Sequence, residues 1–213
     1  GFDGVFDPFT VDDVYSYSGD FGFITNSKPE RDSTSFYGQG TWNHSDSLRT
    51  VFGLRHTKDE VYSAVTNFYG RSGTDILETD GNKVTGRLVV EKDIDDNTMV
   101  YGSFTRGYKP GGSNLTYGRE DEVAQIVVLP TFQEEIVDAF EVGLKTDLAD
   151  GRARLNAAAF LYNYEGLQYQ ATDPEVFEGG VGNIPDSEIY GAELELSTFL
   201  SDSVILDLRM SWL

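Results

Sequence analysis

Four side chains in one stretch of this sequence could hold a ligand between them: Tyr108, Lys109, Tyr117 and Arg119. Aromatic rings stack on or enclose a bound group, and Lys or Arg meets an anionic one with charge-assisted hydrogen bonds. They lie in or just after a glycine-rich run, Arg106-Gly107-Tyr108-Lys109-Pro110-Gly111-Gly112. That run lacks the spacing of a P-loop or a dinucleotide fingerprint, so it reads as a strand ending in a turn. A second set of charges recurs at even spacings: Arg49, Arg87, Glu141, Lys145, Arg154, Glu193, Glu195 and Arg209. Such charges either line a passage or pair across neighbouring strands. Bond-making chemistry finds no support. His44 and His56 have no metal-ligand partner at a useful spacing, no Gly-x-Ser-x-Gly elbow exists, and the absence of Cys excludes disulfides and thiolate sites. No catalytic residue, metal site or cofactor is expected, and the chain does not read as an enzyme.

The formal net charge of −20 argues against nucleic acid as a partner, because phosphate would be repelled. It argues equally against a basic patch for anionic lipid heads. Acids crowd the N-terminal segment (Asp3, Asp7, Asp12, Asp13, Asp20) and one later loop (Asp173, Glu175, Glu178, Asp186, Glu188). They are either solvated loop surface or an attraction for cations. Mean hydropathy is −0.35, and no apolar stretch approaches the roughly 20 residues of a spanning helix. A spanning strand needs only about 9–11 residues, half of them apolar, so this composition is compatible with a membrane β-barrel.

The elements that must carry these side chains are strands. Runs such as Phe140-Glu141-Val142-Gly143-Leu144-Lys145 and Val204-Ile205-Leu206-Asp207-Leu208-Arg209-Met210 alternate apolar and polar residues. Period two gives a sheet with two unlike faces. Eight strands are expected near 34–44, 47–59, 83–92, 98–108, 134–147, 152–170, 186–198 and 203–213, as an all-β antiparallel up-and-down meander. The connections alternate between tight turns rich in Asp, Asn, Ser and Gly and long stretches at 60–82, 109–133 and 171–185. Residues 1–33 read as the tail of another long loop. Long loops of this kind usually carry function.

Sorted by parity, one face collects Phe36, Trp42, Phe52, Leu88, Phe140, Leu155, Leu194 and Leu206 without a charge. The other holds the charged set above, and it is expected to be concave. A charge facing lipid at mid-bilayer costs roughly 2–4 kcal/mol, but a soluble sheet packed on a core would also have one uncharged face. Three features favour the membrane. The strands are long, the apolar face is rich in Gly and Ala, and aromatics gather near strand ends (Trp42, Tyr108, Tyr162, Tyr164, Tyr169, Tyr190, Trp212) as an interfacial girdle would.

The run Val100-Tyr101-Gly102-Ser103-Phe104-Thr105-Arg106-Gly107-Tyr108-Lys109-Pro110-Gly111-Gly112 resembles a strand and loop start of TonB-dependent outer-membrane receptors. So do Phe140 to Lys145, Ala158-Ala159-Phe160-Leu161-Tyr162-Asn163-Tyr164, Gly182-Asn183 with Tyr190-Gly191-Ala192-Glu193-Leu194-Glu195, and the earlier Tyr37-Gly38-Gln39 and Gly53-Leu54-Arg55-His56-Thr57. The resemblance covers roughly residues 34–213. It implies a transmembrane β-barrel, 22-stranded in the full-length family, with an internal plug. It also implies TonB-energised uptake of a scarce nutrient, most readily a ferric siderophore or other metal chelate, into a Gram-negative cell. The implied partners are outer-membrane lipid, a small-molecule ligand and, through an N-terminal part of the parent protein, the TonB complex. Residues 1–213 are expected to be a partial barrel domain, without plug, TonB box or signal peptide, cut at both ends. The competing readings are a passive porin-like barrel and a soluble β-sandwich binding module.

Overall fold

The computed structural model describes residues 14–18, 23–67, 74–114, 129–173 and 178–213. Among these residues eleven strands run in chain order: β1 (Val14–Ser18), β2 (Phe23–Ser45), β3 (Leu48–Asn67), β4 (Thr74–Asp95), β5 (Thr98–Lys109), β6 (Gly112–Ser113), β7 (Thr131–Phe132), β8 (Glu135–Leu148), β9 (Ala153–Asp173), β10 (Glu178–Ser201) and β11 (Val204–Trp212). Nine form one antiparallel sheet, in the order β1-β2-β3-β4-β5-β8-β9-β10-β11, and β6 pairs only with β7. The eight expected strands are all present, each paired with its sequence neighbour apart from the inserted β6–β7 hairpin.

Their lengths differ from expectation. The stretches 60–82 and 171–185, read as loops, are mostly ladder: β3 and β4 stay paired out to Thr66–Thr74, and β9 and β10 out to Asp173–Glu178. Much of 1–33 is strand as well, since β2 begins at Phe23 and β1 pairs with it. These extensions carry polar residues on both faces, so the apolar periodicity stops where the ladder does not. Backbone pairing satisfies N–H and C=O groups whether or not a face is greasy.

The register settles the faces. One row reads Gly40, Phe52, Leu88, Phe104, Phe140, Leu161, Tyr190, and the row below it Trp42, Thr50, Val90, Gly102, Val142, Ala159, Ala192, Trp212. Charges share this parity only at the margins, among them Lys92 beside Leu48 and Val100, Arg106 opposite Asp138, and Lys58 and Glu60 beyond the belt on β3. Nothing packs on this apolar face among the described residues. Leu88 and Val90 are 47% and 43% exposed, while Val89 between them, on the polar face, is 5% exposed. In a single-layer sheet, side chains crowd on the concave side and splay on the convex one, so the polar face is the inner one. Three of the seven end aromatics do not join a girdle: Tyr162 and Tyr164 share parity with Phe160 on the polar face, and Tyr108 turns inward. Alternation decides this for Tyr162 and Tyr164; Tyr108 has the outward parity of Phe104 and Arg106 and turns in only where β5 has left the β4 ladder, which ends at Arg106.

The tight-turn rim is staggered. The row through the last regular pair of the β2–β3 hairpin, Asn43–Arg49, runs through Glu91, Tyr101, Gly143 and Ala158 to Glu193. The β10–β11 hairpin closes on Phe199, six residues further along the strand (199 − 193). These two hairpins lie six strand positions apart in the sheet, so the stagger is one residue per strand. A closed barrel of tilted strands requires such a steady shear. It also explains why Trp42 and Trp212 share a row yet sit at opposite ends of the belt. Trp42 is three residues before Ser45, where β2 ends, and Trp212 eight after Val204, where β11 begins.

Candidate ligand-facing wall

The polar face divides into two regions. Near the tight turns its charges are paired. Arg49 reaches both Glu91 and, at 2.8 Å, Asp93. Arg154 grips Asp147 through two nitrogens at 2.7 and 3.2 Å. Arg209 lies 3.7 Å from Glu195, which also accepts from Asn156. Tyr101 donates to Glu141 at 2.6 Å, and the Lys145 ammonium stands over the Tyr101 ring at 5.6 Å. All eight charges singled out in the sequence lie on this face. Arg87 alone of the five cations among them has neither an ion pair nor an aromatic partner among the described residues.

Beyond the apolar belt the wall is built differently. The β6–β7 hairpin and the residues before it fold inward as a strap. Ser113 donates to Ser63 on β3 at 2.6 Å. The Asn114 side chain, 4% exposed, donates to the carbonyls of Leu129 and Val181 at 2.8 and 2.9 Å and accepts from the Val181 amide at 2.8 Å. Gln168 and Asn183 tie the strap's base to β9 and β10 through the carbonyls of Pro110, Gln133 and Gly166. Ser63 and Val181 belong to β3 and β10, five strand spacings apart and thus about 24 Å along the sheet. Two adjacent residues whose Cα atoms are about 3.8 Å apart cannot touch both unless the sheet curls around them. The strap is a chord across the concave side.

Under the strap lies a cavity of about 340 Å³ lined by Arg31, Ser33, Arg55, Thr57, Asp59, Thr85, Tyr108 and Pro110. All six wall residues share the inward parity of β2, β3 and β4. Asp59 is 2% exposed; its Oδ1 accepts from Arg31 at 3.0 Å, and its Oδ2 has no partner. The Tyr108 hydroxyl is also buried and unpartnered. Asp59 lies near enough to act on the phenol, although no well-formed hydrogen bond joins the two. Burial first, then the charges of Asp59 and Glu134, push the Tyr108 phenol up to about 12. Tyr108 fits because β4 has Gly81 there: a Cβ at Gly81 would collide with the phenol oxygen. Among the described residues Arg55 donates to neutral groups only, Thr57 at 3.1 Å and Ser35 at 2.8 Å.

Of the four ligand candidates, Tyr108 thus lines this cavity and Lys109 is exposed at the end of β5. Tyr117 and Arg119 lie outside the described residues. Sequence reasoning missed Arg31, Asp59 and Asn114. Asp59 was legible in principle, because it continues the alternation of Arg55 and Thr57 one step further.

A curved single sheet, uncharged outside, charged inside and sheared by one residue per strand, is the wall of a barrel. A family model described as TonB dependent receptor-like, beta-barrel, matches residues 2–212. The chain belongs to the TonB-dependent receptor family. Members of this family are transporters of the Gram-negative outer membrane. Solved structures of similar fold include the ferric yersiniabactin uptake receptor FyuA from Yersinia pestis, at TM-score 0.72 and 20% identity over 89% of this chain and 27% of that one. The siderophore receptor PiuA from Acinetobacter baumannii matches at TM-score 0.60 and 22% identity, over 89% of this chain and 26% of that one. The copper transporter OprC matches at TM-score 0.61 and 14% identity, over 94% and 36%. The chain therefore spans about a quarter to a third of the length of these TonB-dependent receptors.

Proposed function

We propose that this chain forms part of the wall of a receptor that takes up a ferric siderophore or another metal chelate across the outer membrane, energised by TonB. The curled, charged inner face beneath an infolded strap carries this reading, because a sheet facing lipid outside has only that side on which to handle a polar cargo. The names of the matched structures, a ferric yersiniabactin receptor, a siderophore receptor and a copper transporter, support the same class of cargo. In this reading the plug and the TonB-contacting segment belong to the remaining length of the receptor. The eight polar-face charges line the passage, and the loop around Tyr108, Lys109, Tyr117 and Arg119 meets the ligand at the rim facing outside the cell. A passive porin-like barrel would share the wall but not the energy dependence. The test is uptake of radiolabelled iron chelates and copper by cells carrying the full-length receptor, with and without a working TonB complex. Saturable uptake that vanishes without TonB is expected. Uptake indifferent to TonB would overturn the proposal. Shortening the 109–133 loop should weaken binding at normal surface expression; unchanged affinity would remove that loop from the site.

A further inference from the structure

The cavity beneath the strap has a specific chemical imbalance. Its wall presents one guanidinium that has no carboxylate among the described residues, Arg55, held in place by two hydroxyls. It presents one carboxylate oxygen, Asp59 Oδ2, that is buried and lacks a donor, and one phenol, Tyr108, that is buried and lacks a partner. A buried polar group left unpaired costs stability, and a native structure keeps it where something else supplies the partner. A plain anion would satisfy Arg55 and be repelled by Asp59. A plain donor would satisfy Asp59 and leave Arg55 unmatched. A molecule with an anionic oxygen and a nearby hydroxyl answers all three groups: the anionic oxygen accepts from Arg55, and the hydroxyl donates to Asp59 Oδ2 while accepting from Tyr108.

We propose that the cavity between the strap and the β2–β4 wall binds a hydroxycarboxylate, its carboxylate on Arg55 and its hydroxyl between Asp59 and Tyr108. This rests on the receptor reading above. The cavity volume, about 340 Å³, is at the small end for ligand pockets, which suits one hydroxycarboxylate arm left free of the metal rather than a whole chelate. Pro110 and Tyr108 reach the cavity from the strap, so the strap closes over the bound arm.

The test uses the purified full-length receptor in detergent, titrated with citrate, with ferric citrate and with a ferric tris-catechol complex that has no carboxylate. Citrate, whose hydroxyl is free, is expected to bind saturably, and ferric citrate, whose hydroxyl is taken up by the metal, more weakly through its carboxylates. Arg55→Gln should weaken both by about tenfold or more, the usual effect of removing a charged hydrogen bond, and Tyr108→Phe by several-fold. Lys58→Gln, on the opposite face of the same strand, should change nothing. Arg55→Lys, which keeps the charge, should retain part of the affinity. Absence of citrate binding by the wild type, or binding equally strong in Arg55→Gln, would overturn the assignment. TonB-dependent uptake is measured on the same variants. If it persists while the citrate arms fail, only the cavity assignment falls. If uptake is TonB-independent, the receptor reading falls whatever the titrations give.

Discussion

The inner face carries two clusters of charge that differ in completeness. At the tight-turn rim Arg49, Arg154 and Arg209 each have a carboxylate, and Tyr101 holds Glu141. Under the strap Arg55 has only hydroxyls, and Asp59 and Tyr108 each keep an unmatched buried oxygen. The lower cluster is wall: half-exposed pairs that add little stability singly but set register across neighbouring strands. The upper one is poised, holding polar groups at a cost that only a further partner offsets. What differs is whether each group's partner is present: Arg31 on the adjacent strand serves only one oxygen of Asp59, and among the described residues Arg55 has no carboxylate and Tyr108 no partner.

The inner face tolerates charge and the lipid-facing belt does not, and the largest effect is expected there. Val142 is at the middle of the belt on β8, 61% exposed with Gly102 and Ala159 beside it. Val142→Arg should cost roughly 2–4 kcal/mol in a bilayer. Glu141→Gln, one residue away on the inner face, keeps an acceptor for Tyr101 and should cost about 1 kcal/mol or less. Denaturant unfolding of the full-length receptor in liposomes measures both. Equal costs would mean that the belt does not face lipid.

Next in size is the strap. Asn114→Ala removes a side chain that satisfies Val181 N–H and two carbonyls, and leaving those groups unpaired should cost about 1–3 kcal/mol locally. The readout is hydrogen exchange: amides of 111–114 and Val181 should exchange faster while the β3–β4 ladder holds. Unchanged exchange would mean that the strap is held by other contacts.

A smaller effect separates the two clusters directly. Arg49→Gln breaks two surface-type pairs and should lower stability by about 1 kcal/mol without touching ligand affinity. Arg55→Gln should leave stability within about 0.5 kcal/mol and reduce affinity. If both variants behave alike in the unfolding and binding assays, the division into wall and site is wrong.

The meander, its neighbours and the two faces were legible from alternation alone, since a period of two survives any curvature. Strand ends were not. The ladder continues through Lys58 to Asn67 and through Tyr169 to Asp173, where polar residues occupy both faces and no periodicity marks the strand. The girdle was over-read for the same reason: Tyr162 and Tyr164 looked interfacial by position along the chain, whereas parity turns them inward. The cavity was least legible. It needs Arg31, Asp59 and Tyr108 from three strands, brought together by a strap whose anchor, Asn114, has no signature in sequence beyond the glycines before it.

Tyr108 offers the finest distinction between a site and a wall. Its row lies beyond the Arg106–Asp138 pair, which marks the edge of the uncharged belt, so it titrates outside the lipid region. Burial and the nearby acids favour the neutral phenol, raising its value from 10.0 to about 12. A raised value on an acid means that the fold prefers the protonated form. The contribution is therefore fully present below about pH 10 and is lost as pH rises from there through about 12. Ultraviolet difference titration of the phenolates, wild type against Tyr108→Phe, should show the missing group in the last part of the curve. Asp59→Asn should move that group to lower pH, because it removes the negative charge that opposes ionisation. Binding of a hydroxycarboxylate should hold it up further, because its hydroxyl accepts the phenol proton. A Tyr108 that titrates near 10 with and without ligand would show a hydroxyl already served by water. The upper cluster would then be as complete as the lower one.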